Sequence, residues 1–161
     1  MKHKRLFTIG ILFLIVCVTA FSTACGNNSN AKEDNPTEFY DTVKESADLL
    51  EIVADEIYSY WYDAIYNKKY SGNINLAIAY AQADNSENIE KIKSNDKKIK
   101  ELYAKAKDCD CSDEVKEVMH AYNDFYSFVI DVSGSFNSYS AGNETKKKAL
   151  STALKNLSFE L

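Results

Sequence analysis

Residues Asn35 to Lys68 read NPTEFYDTVKESADLLEIVADEIYSYWYDAIYNK, and this stretch decides the fold. Its apolar residues recur at steps of three and four, which places them on one face of an α-helix. Asn35 can cap the helix, Pro36 fits its first position, and Glu38 can return a hydrogen bond to the cap. The apolar face consists of Phe39, Val43, Ala47, Leu50, Ala54, Ile57, Trp61 and Ala64. The stretch therefore predicts a long first helix.

The same spacing predicts three further helices in the rest of the chain. A second long helix begins at Ile74, after the break Ser71–Asn73, and ends near Asp108. A turn over Asp108–Asp113 leads to a third helix, whose apolar face consists of Val115, Val118, Met119, Tyr122, Phe125, Tyr126, Val129 and Val132. A fourth helix follows a loop over Ser133–Asn143, and its apolar residues are Leu150, Ala153, Leu154 and Leu157.

The composition agrees with a helical protein. The chain has 161 residues, 45% of them apolar, with five glycines and one proline, and so few helix breakers disfavour β-sandwiches, barrels and disorder. Gly72, Gly134 and Gly142 each fall at a predicted break between helices. We therefore predict an all-α fold in which residues 36–161 form an antiparallel bundle of three to four helices, two long and two shorter, after an N-terminal signal helix. The third and fourth helices together would cover the groove between the first two.

Charge adds a prediction about how the first two helices are arranged. Residues 32–66 hold ten acidic and two basic side chains, whereas residues 91–107 hold seven lysines. A short turn makes the first two helices antiparallel neighbours, so the acidic and basic stretches would face each other. Two independently solvated faces are the alternative, since a surface ion pair contributes only about 0 to 1 kcal/mol.

The N-terminus carries the features of an export signal. Three basic residues within residues 1–5 precede a mostly apolar stretch over residues 6–21, which as a helix is about 24 Å long, short of the roughly 30 Å core of a bilayer. The sequence STACG at residues 22–26 resembles the lipobox of bacterial lipoproteins. The resemblance implies a signal peptide over residues 1–24 and a diacylglycerol on Cys25. Ordinary signal cleavage at the same bond, which would leave a plain secreted protein, is the alternative.

The lipoprotein interpretation places the protein on the extracytoplasmic face of the cell membrane of a Gram-positive-type bacterium. The covalent diacylglycerol or palmitate on Cys25 would be its anchor, since two acyl chains give stable attachment. Residues 25–35 are polar and would form a flexible tether. Loss of residues 1–24 leaves 16 lysines against 24 acidic residues, a net charge of −8, which argues against nucleic acid as a partner.

The sequence offers little for catalysis or metal binding, and we predict no enzyme, no metal site and no cofactor beyond the lipid. His120 is the sole histidine after cleavage, and no nucleophile with its base, and no phosphate-binding loop, can be assembled. The turn Asp108–Asp113 begins like a calcium loop. However, Asp113 and Met119 stand at the positions where such loops have Gly and Glu.

Cys109 and Cys111 form a possible disulfide in an exported, oxidising setting. A ring closed across one residue would be easily reduced, which is the property of a redox-active pair. An exported thiol oxidoreductase that uses these two cysteines is therefore one alternative function. A plain structural turn is the other interpretation, because no thioredoxin-like βαβ pattern surrounds the pair and acidic neighbours raise the pKa of a thiol.

Aromatic residues are the most unusual feature of the mature chain. Tyr58, Tyr62 and Tyr66 belong to a set of aromatics that spreads around a wider arc of the first helix than one core stripe requires. Phe136 and Tyr139 lie in the loop over Val132–Asn143, whose Ser, Gly and Asn content is typical of adaptable recognition loops. Either the first helix packs on two sides and the loop aromatics tuck under the bundle, or these five residues form an interaction surface.

Anchor, bundle and surplus aromatics together predict a non-enzymatic module that binds another protein at the cell surface. A lipoprotein that protects the cell against phage or bacteriocins, by immunity or superinfection exclusion, is an alternative that rests on analogy. A purely structural envelope protein is a further possibility.

Overall fold

The structure is a computed structural model that describes residues 34–161, and every regular element in that range is helical. The elements in chain order are α1 (Asp34–Tyr66), a 3₁₀ turn (Lys69–Gly72), α2 (Ile74–Asp84), α3 (Ser86–Ala106), α4 (Ser112–Ile130) and α5 (Phe136–Leu157). The predicted all-α class is confirmed, with five helices in place of three to four. The predicted signal peptide, Cys25 and most of the tether lie outside the described residues. Within that range no helix is both long and apolar enough to cross a membrane.

Helix α1 is the central element of the bundle. It has 33 residues, which corresponds to about 50 Å, and it contacts each of the other four helices. Its predicted apolar face is buried along its whole length, together with Val53, from Phe39 at one end to Ala64 at the other. The first helix therefore packs on more than one side, although Phe39 and Trp61 are the only aromatic residues of α1 that are fully buried.

Helix α3 runs antiparallel to the first half of α1, with its lysines beside the acidic residues of α1. The Lys98 ammonium lies 2.9 Å from the Glu38 carboxylate, and the Lys91 ammonium lies 3.3 Å from that of Glu45. The Lys98 side chain, by hydrogen bond and by charge, lowers the pKa of Glu38. The predicted facing of acidic and basic stretches is confirmed, and its exposed pairs orient the two helices more than they stabilise them.

The second predicted helix is divided in two at Asn85. This residue is buried, and its side-chain amide donates to the Ala81 carbonyl at 3.0 Å and to the carboxylate of Glu56 on α1. The Asn85 side-chain oxygen accepts from Asn88 at 3.0 Å. An Asn side chain that bonds to nearby backbone competes with the helical hydrogen bonds. The prediction of one continuous helix was wrong, because the hydrogen bond from Asn85 to Glu56 on α1 stabilises a break between α2 and α3.

The loop predicted over residues 133–143 is much shorter in the structure. Helix α5 already begins at Phe136, because Ser135 caps it and exchanges hydrogen bonds with Ser138. Gly142 lies inside α5 and does not mark a break. A Cβ at this position would lie 2.8 Å from a ring carbon of Phe128 on α4, so glycine here allows two helices to approach closely.

Helices α4 and α5 pack on each other and on α1. Only α4 also contacts α3, since within the described chain α5 has no contact with α3. The expectation that both would cover the groove between the first two helices therefore holds for α4 alone. The turn before α4 contains a disulfide between Cys109 and Cys111, and Cys111 is buried.

Candidate functional site

An aromatic cluster lies at the C-terminal end of α1. The ring of Phe136, from the start of α5, lies 5.1 Å from that of Tyr58, 6.2 Å from Tyr62 and 6.0 Å from Tyr66. Tyr62 and Tyr66 are themselves neighbours, with ring centroids 4.6 Å apart. We call Tyr58, Tyr62, Tyr66 and Phe136 the aromatic surface. Four of the five residues predicted to form an interaction surface are thus brought together.

The members of the aromatic surface differ in exposure. Tyr66 is 57% exposed and Tyr62 is 42% exposed, whereas Tyr58 and Phe136 are half-buried. The half-buried rings of Tyr58 and Phe136 pack against the exposed rings of Tyr62 and Tyr66. A rigid, partly exposed group of tyrosines is the kind of surface that dominates protein interfaces, because each ring presents a large area with little conformational freedom to lose.

Tyr139 does not belong to this surface, so its assignment as an interaction residue was wrong. It is 1% exposed, its ring stacks on Phe128 at 4.6 Å, and its hydroxyl donates to the Ala54 carbonyl at 3.3 Å. Burial raises the pKa of the Tyr139 hydroxyl. The composition of residues 132–143 predicts a flexible loop for Tyr139, but the residue lies on the inward face of α5.

A second aromatic group lies at the same end of α1, on another side of the helix, and the sequence analysis did not predict it. The ring of Tyr70 lies between those of Tyr60, at 5.5 Å, and Tyr80, at 5.6 Å. The Tyr60 hydroxyl donates to the Asp84 carboxylate, and this hydrogen bond raises the pKa of Tyr60 to about 12. Tyr70 and Tyr80 lie off the apolar stripes, so periodicity gave no signal that they would meet.

The chain between α1 and α2 reverses through left-handed backbone. The φ angles are 54° at Lys68, 55° at Tyr70, 57° at Ser71 and 70° at Gly72. Residues other than glycine cost about 1 to 2 kcal/mol each in this region. The stacking of Tyr70 holds the reversal in place, and so does the ion pair of Lys69 with Asp63 at 2.6 Å. Through this pair, the Lys69 hydrogen bond lowers the pKa of Asp63.

An open groove of about 570 Å³ lies next to the aromatic surface, between the end of α1, the start of α2 and the α4–α5 connection. Its apolar walls are Trp61, Ile65, Ile74, Ile78, Val132 and Phe136, and its polar rim is formed by Asn73, Asn75, Ser133, Gly134 and Ser135. None of these lining residues carries a charge. We call this the isoleucine groove, and Phe136 is shared between it and the aromatic surface.

Trp61 is the most unusual residue of the isoleucine groove. It is 4% exposed, and its indole N–H has no acceptor among residues 34–161. A buried donor without a partner costs about 1 to 3 kcal/mol, so its presence in a groove wall calls for an explanation. Its apolar spacing in α1 predicted burial but gave no sign of the unpaired N–H.

A smaller cavity of about 300 Å³ lies between α1 and α5 and is lined by charged residues. Lys147 is its main cation, 3.2 Å from Asp55 and 3.6 Å from Glu51. Burial opposes the charge of Lys147, but these carboxylates outweigh it and raise the pKa of the ammonium. The charges therefore compensate one another within the protein, and the cavity has the character of a helix interface.

Groups able to carry catalysis are sparse in the described part of the chain. His120 is exposed on α4, and the range 34–161 contains no cluster of His, Cys, Asp or Glu side chains suited to a metal ion. The disulfide places Cys109 at the half-buried edge of the α3–α4 turn, with its partner Cys111 against the core. No protein-family model, curated protein or solved structure matches the chain.

Proposed function

We propose that this protein is a non-enzymatic, lipid-anchored module that binds another protein on the extracytoplasmic side of the membrane through its aromatic surface. The proposal rests on one observation: the exposed rings of Tyr62 and Tyr66 both pack against the half-buried ring of Phe136. An isolated exposed tyrosine is ordinary, but a packed group that leaves its outer rings in solvent has the form of an interface hot spot.

The position of the aromatic surface agrees with an anchor at the other end of the molecule. Residues 58–66 lie about 36 to 48 Å along α1 from residue 34, at 1.5 Å per residue. The proposed lipid on Cys25 would hold the N-terminal end of α1 near the bilayer. The aromatic surface would then point away from the membrane, where a partner protein can reach it.

The net charge agrees with attachment through the acyl chains alone. Without residues 1–24 the chain has 16 lysines against 24 acidic residues, a net charge of −8. A strongly acidic domain is repelled by the anionic lipids of a membrane surface. The bundle would therefore stand away from the bilayer on its tether, and attachment would depend on the acyl chains.

Site-specific photocrosslinking in intact cells tests the proposed function. A benzophenone amino acid placed at Tyr62 or at Tyr66 should capture the same partner protein from both positions. The matched control is Phe159, which is 73% exposed but follows α5 at the opposite end of the bundle. Equal capture from all three positions, or capture from none, would contradict a protein-binding role for the aromatic surface.

The anchor is tested separately by mass spectrometry of the mature N-terminus. Wild-type protein should carry two acyl chains on Cys25, and Cys25→Ala should release the protein into the medium. An unmodified Cys25 on a protein that is found in the medium would contradict the anchor, whatever the result of crosslinking.

The disulfide favours a second candidate function, that of an exported thiol oxidoreductase. Its support is the half-buried position of Cys109, which leaves one sulfur near solvent. Insulin reduction by the wild-type protein and by Cys109→Ser decides between the two functions. Equal rates would eliminate the oxidoreductase and leave the disulfide a structural role.

A further inference from the structure

We infer that the cavity between α1 and α5 binds a small organic anion, one that joins a single negative charge to a compact apolar body. We call it the lysine cavity, because Lys44, Lys147 and Lys155 are among its lining residues. None of the lining residues belongs to the aromatic surface, so the inference goes beyond the proposed function. The volume of about 300 Å³ lies at the small end of the range of sites that hold small molecules.

The inner wall of the lysine cavity is apolar. It includes Phe125 of α4 and Leu150 of α5, and both side chains are buried. Ala47 on α1 and Ser151 on α5 also line the cavity, and such small side chains leave a space where larger residues would close the contact between the two helices. A ring or short alkyl group that entered would leave water and cover Phe125, which is favourable.

The charged part of the lining favours an anion. Lys147 is compensated by Glu51, at 3.6 Å, and by Asp55, at 3.2 Å. This compensation does not extend to Lys44 and Lys155, which form no ion pair within residues 34–161. Asp48 is the one other carboxylate in the lining. Two lysines without an ion pair against one carboxylate leave an excess of one positive charge, which suits a ligand with a single negative charge.

The two lysines come from facing helices, Lys44 from α1 and Lys155 from α5, and both are exposed. The flexible four-carbon stem of a lysine lets its ammonium follow a bound anion. The Lys155 ammonium lies 6.0 Å from the ring centroid of Phe159, a weak contact that a charge-assisted hydrogen bond exceeds. The hydroxyls of Tyr40 and Ser151 also line the cavity and make no hydrogen bond within the described chain. They can therefore donate to the same anion.

The test uses 4-fluorophenylacetate as the probe, because it joins one carboxylate to one apolar ring and its fluorine is observed directly by ¹⁹F NMR. It is titrated against the full chain in phosphatidylcholine nanodiscs, and empty nanodiscs give the background. We expect saturable binding of the carboxylate. The amide of the same compound has a similar shape without the charge, and it should bind more weakly by about fivefold or more. The corresponding amine, which is a cation, should not displace the probe.

Two pairs of matched variants locate the binding. Lys44→Gln and Lys155→Gln each remove one lysine charge from the lining and should weaken binding by about fivefold. Lys148→Gln removes the same charge from an exposed position of α5 outside the cavity and should leave binding within about twofold. Ser151→Phe fills the cavity and should abolish binding, whereas Thr152→Phe adds the same ring at an exposed position outside the lining and should not. Circular dichroism and the thermal midpoint show that each variant remains folded.

The inference is overturned if the carboxylate and the amide bind equally, or if Lys44→Gln and Lys155→Gln behave like Lys148→Gln. Equal binding by the two phenylalanine variants would also overturn it. Nanodiscs that contain phosphatidylglycerol distinguish two sources of the anion: displacement of the probe assigns it to a lipid headgroup, and retention of the probe assigns it to a free solute. Crosslinking from Tyr62 together with absent probe binding would leave the proposed function standing and reject the lysine cavity alone.

Discussion

The hydroxyl of Tyr60 on α1 donates a hydrogen bond to the carboxylate of Asp84, the last residue of α2. The two residues are 24 positions apart, and the chain between them reverses through left-handed backbone. Tyr70 stacks on Tyr60 within that reversal. One phenol therefore links the end of α2, the reversal and the central helix.

Removal of this hydroxyl should make stability less dependent on alkaline pH. The hydrogen bond to Asp84 raises the pKa of Tyr60 in the folded protein to about 12 from 10.0, so its contribution is complete below pH 10 and is lost as the pH rises through 12. We expect Tyr60→Phe to lower the free energy of unfolding by about 1 kcal/mol at pH 8. The difference from wild type should shrink between pH 10 and 11.5, as measured by urea denaturation.

Tyr80→Phe is the control for this measurement. Its ring stacks on Tyr70 at 5.6 Å, but no side-chain hydrogen bond of its hydroxyl is found within residues 34–161. A pH-dependent difference of equal size in Tyr80→Phe would show that the effect belongs to the stack and not to the Tyr60–Asp84 hydrogen bond.

Asn85→Ala should destabilise the bundle by about 2 kcal/mol. The substitution removes the bonds of a buried amide to Ala81 and Glu56 and leaves the Asn88 amide without its acceptor, and losses of this kind cost about 1 to 3 kcal/mol. The free energy of unfolding from chemical denaturation measures the effect. Asn137→Ala, at an exposed position of α5, should change stability by less than about 0.5 kcal/mol. Equal effects of the two substitutions would refute the role given to Asn85 at the helix break.

The two positive-φ glycines should differ in their tolerance of alanine. Gly72 has a φ of 70° and its Cβ would meet only the Ala64 carbonyl oxygen at 3.9 Å, so Gly72→Ala should cost about 1 kcal/mol. Gly134 has a φ of 91°, outside the left-handed region open to other residues, and its Cβ would lie 2.8 Å from the Ser138 hydroxyl. Gly134→Ala should therefore cost about 2 kcal/mol or more. The reverse order in calorimetry would contradict this account of the α4–α5 connection.

Reduction of the disulfide should have a small effect on stability. Cys109 and Cys111 are two positions apart in the sequence. For so short a loop, the loop-entropy relation gives a stabilisation of about 1.6 kcal/mol at 25 °C. Denaturation with and without a reductant measures the loss, and the double variant with serine at both positions should match the reduced protein. A loss above about 3 kcal/mol would mean that the bond supports the packing of Cys111 beyond closing its own turn.

The extent of α1 and its buried face could be predicted from the chain because the periodicity of apolar residues is a local property. The predicted apolar face, from Phe39 to Ala64, follows the helical step without interruption, and every residue of that face is buried. The opposed charges of α1 and α3 were also predictable, because the short turn after α1 sends α2 and then α3 back along it. The break at Asn85 and the early start of α5 were not, since the first depends on Glu56 of α1 and the second on a two-serine cap in a stretch rich in loop-forming residues.

The aromatic residues show most clearly where local information ends. The chain by itself determined that Tyr58, Tyr62 and Tyr66 share one end of a helix, because helical geometry follows from positions a few residues apart. Only the tertiary structure decided that Phe136 would lie among them, that Tyr139 would be buried, and that Trp61 would line a groove with an unpaired N–H. These outcomes depend on how helices distant in sequence pack together, and packing of that kind is a property of the whole bundle.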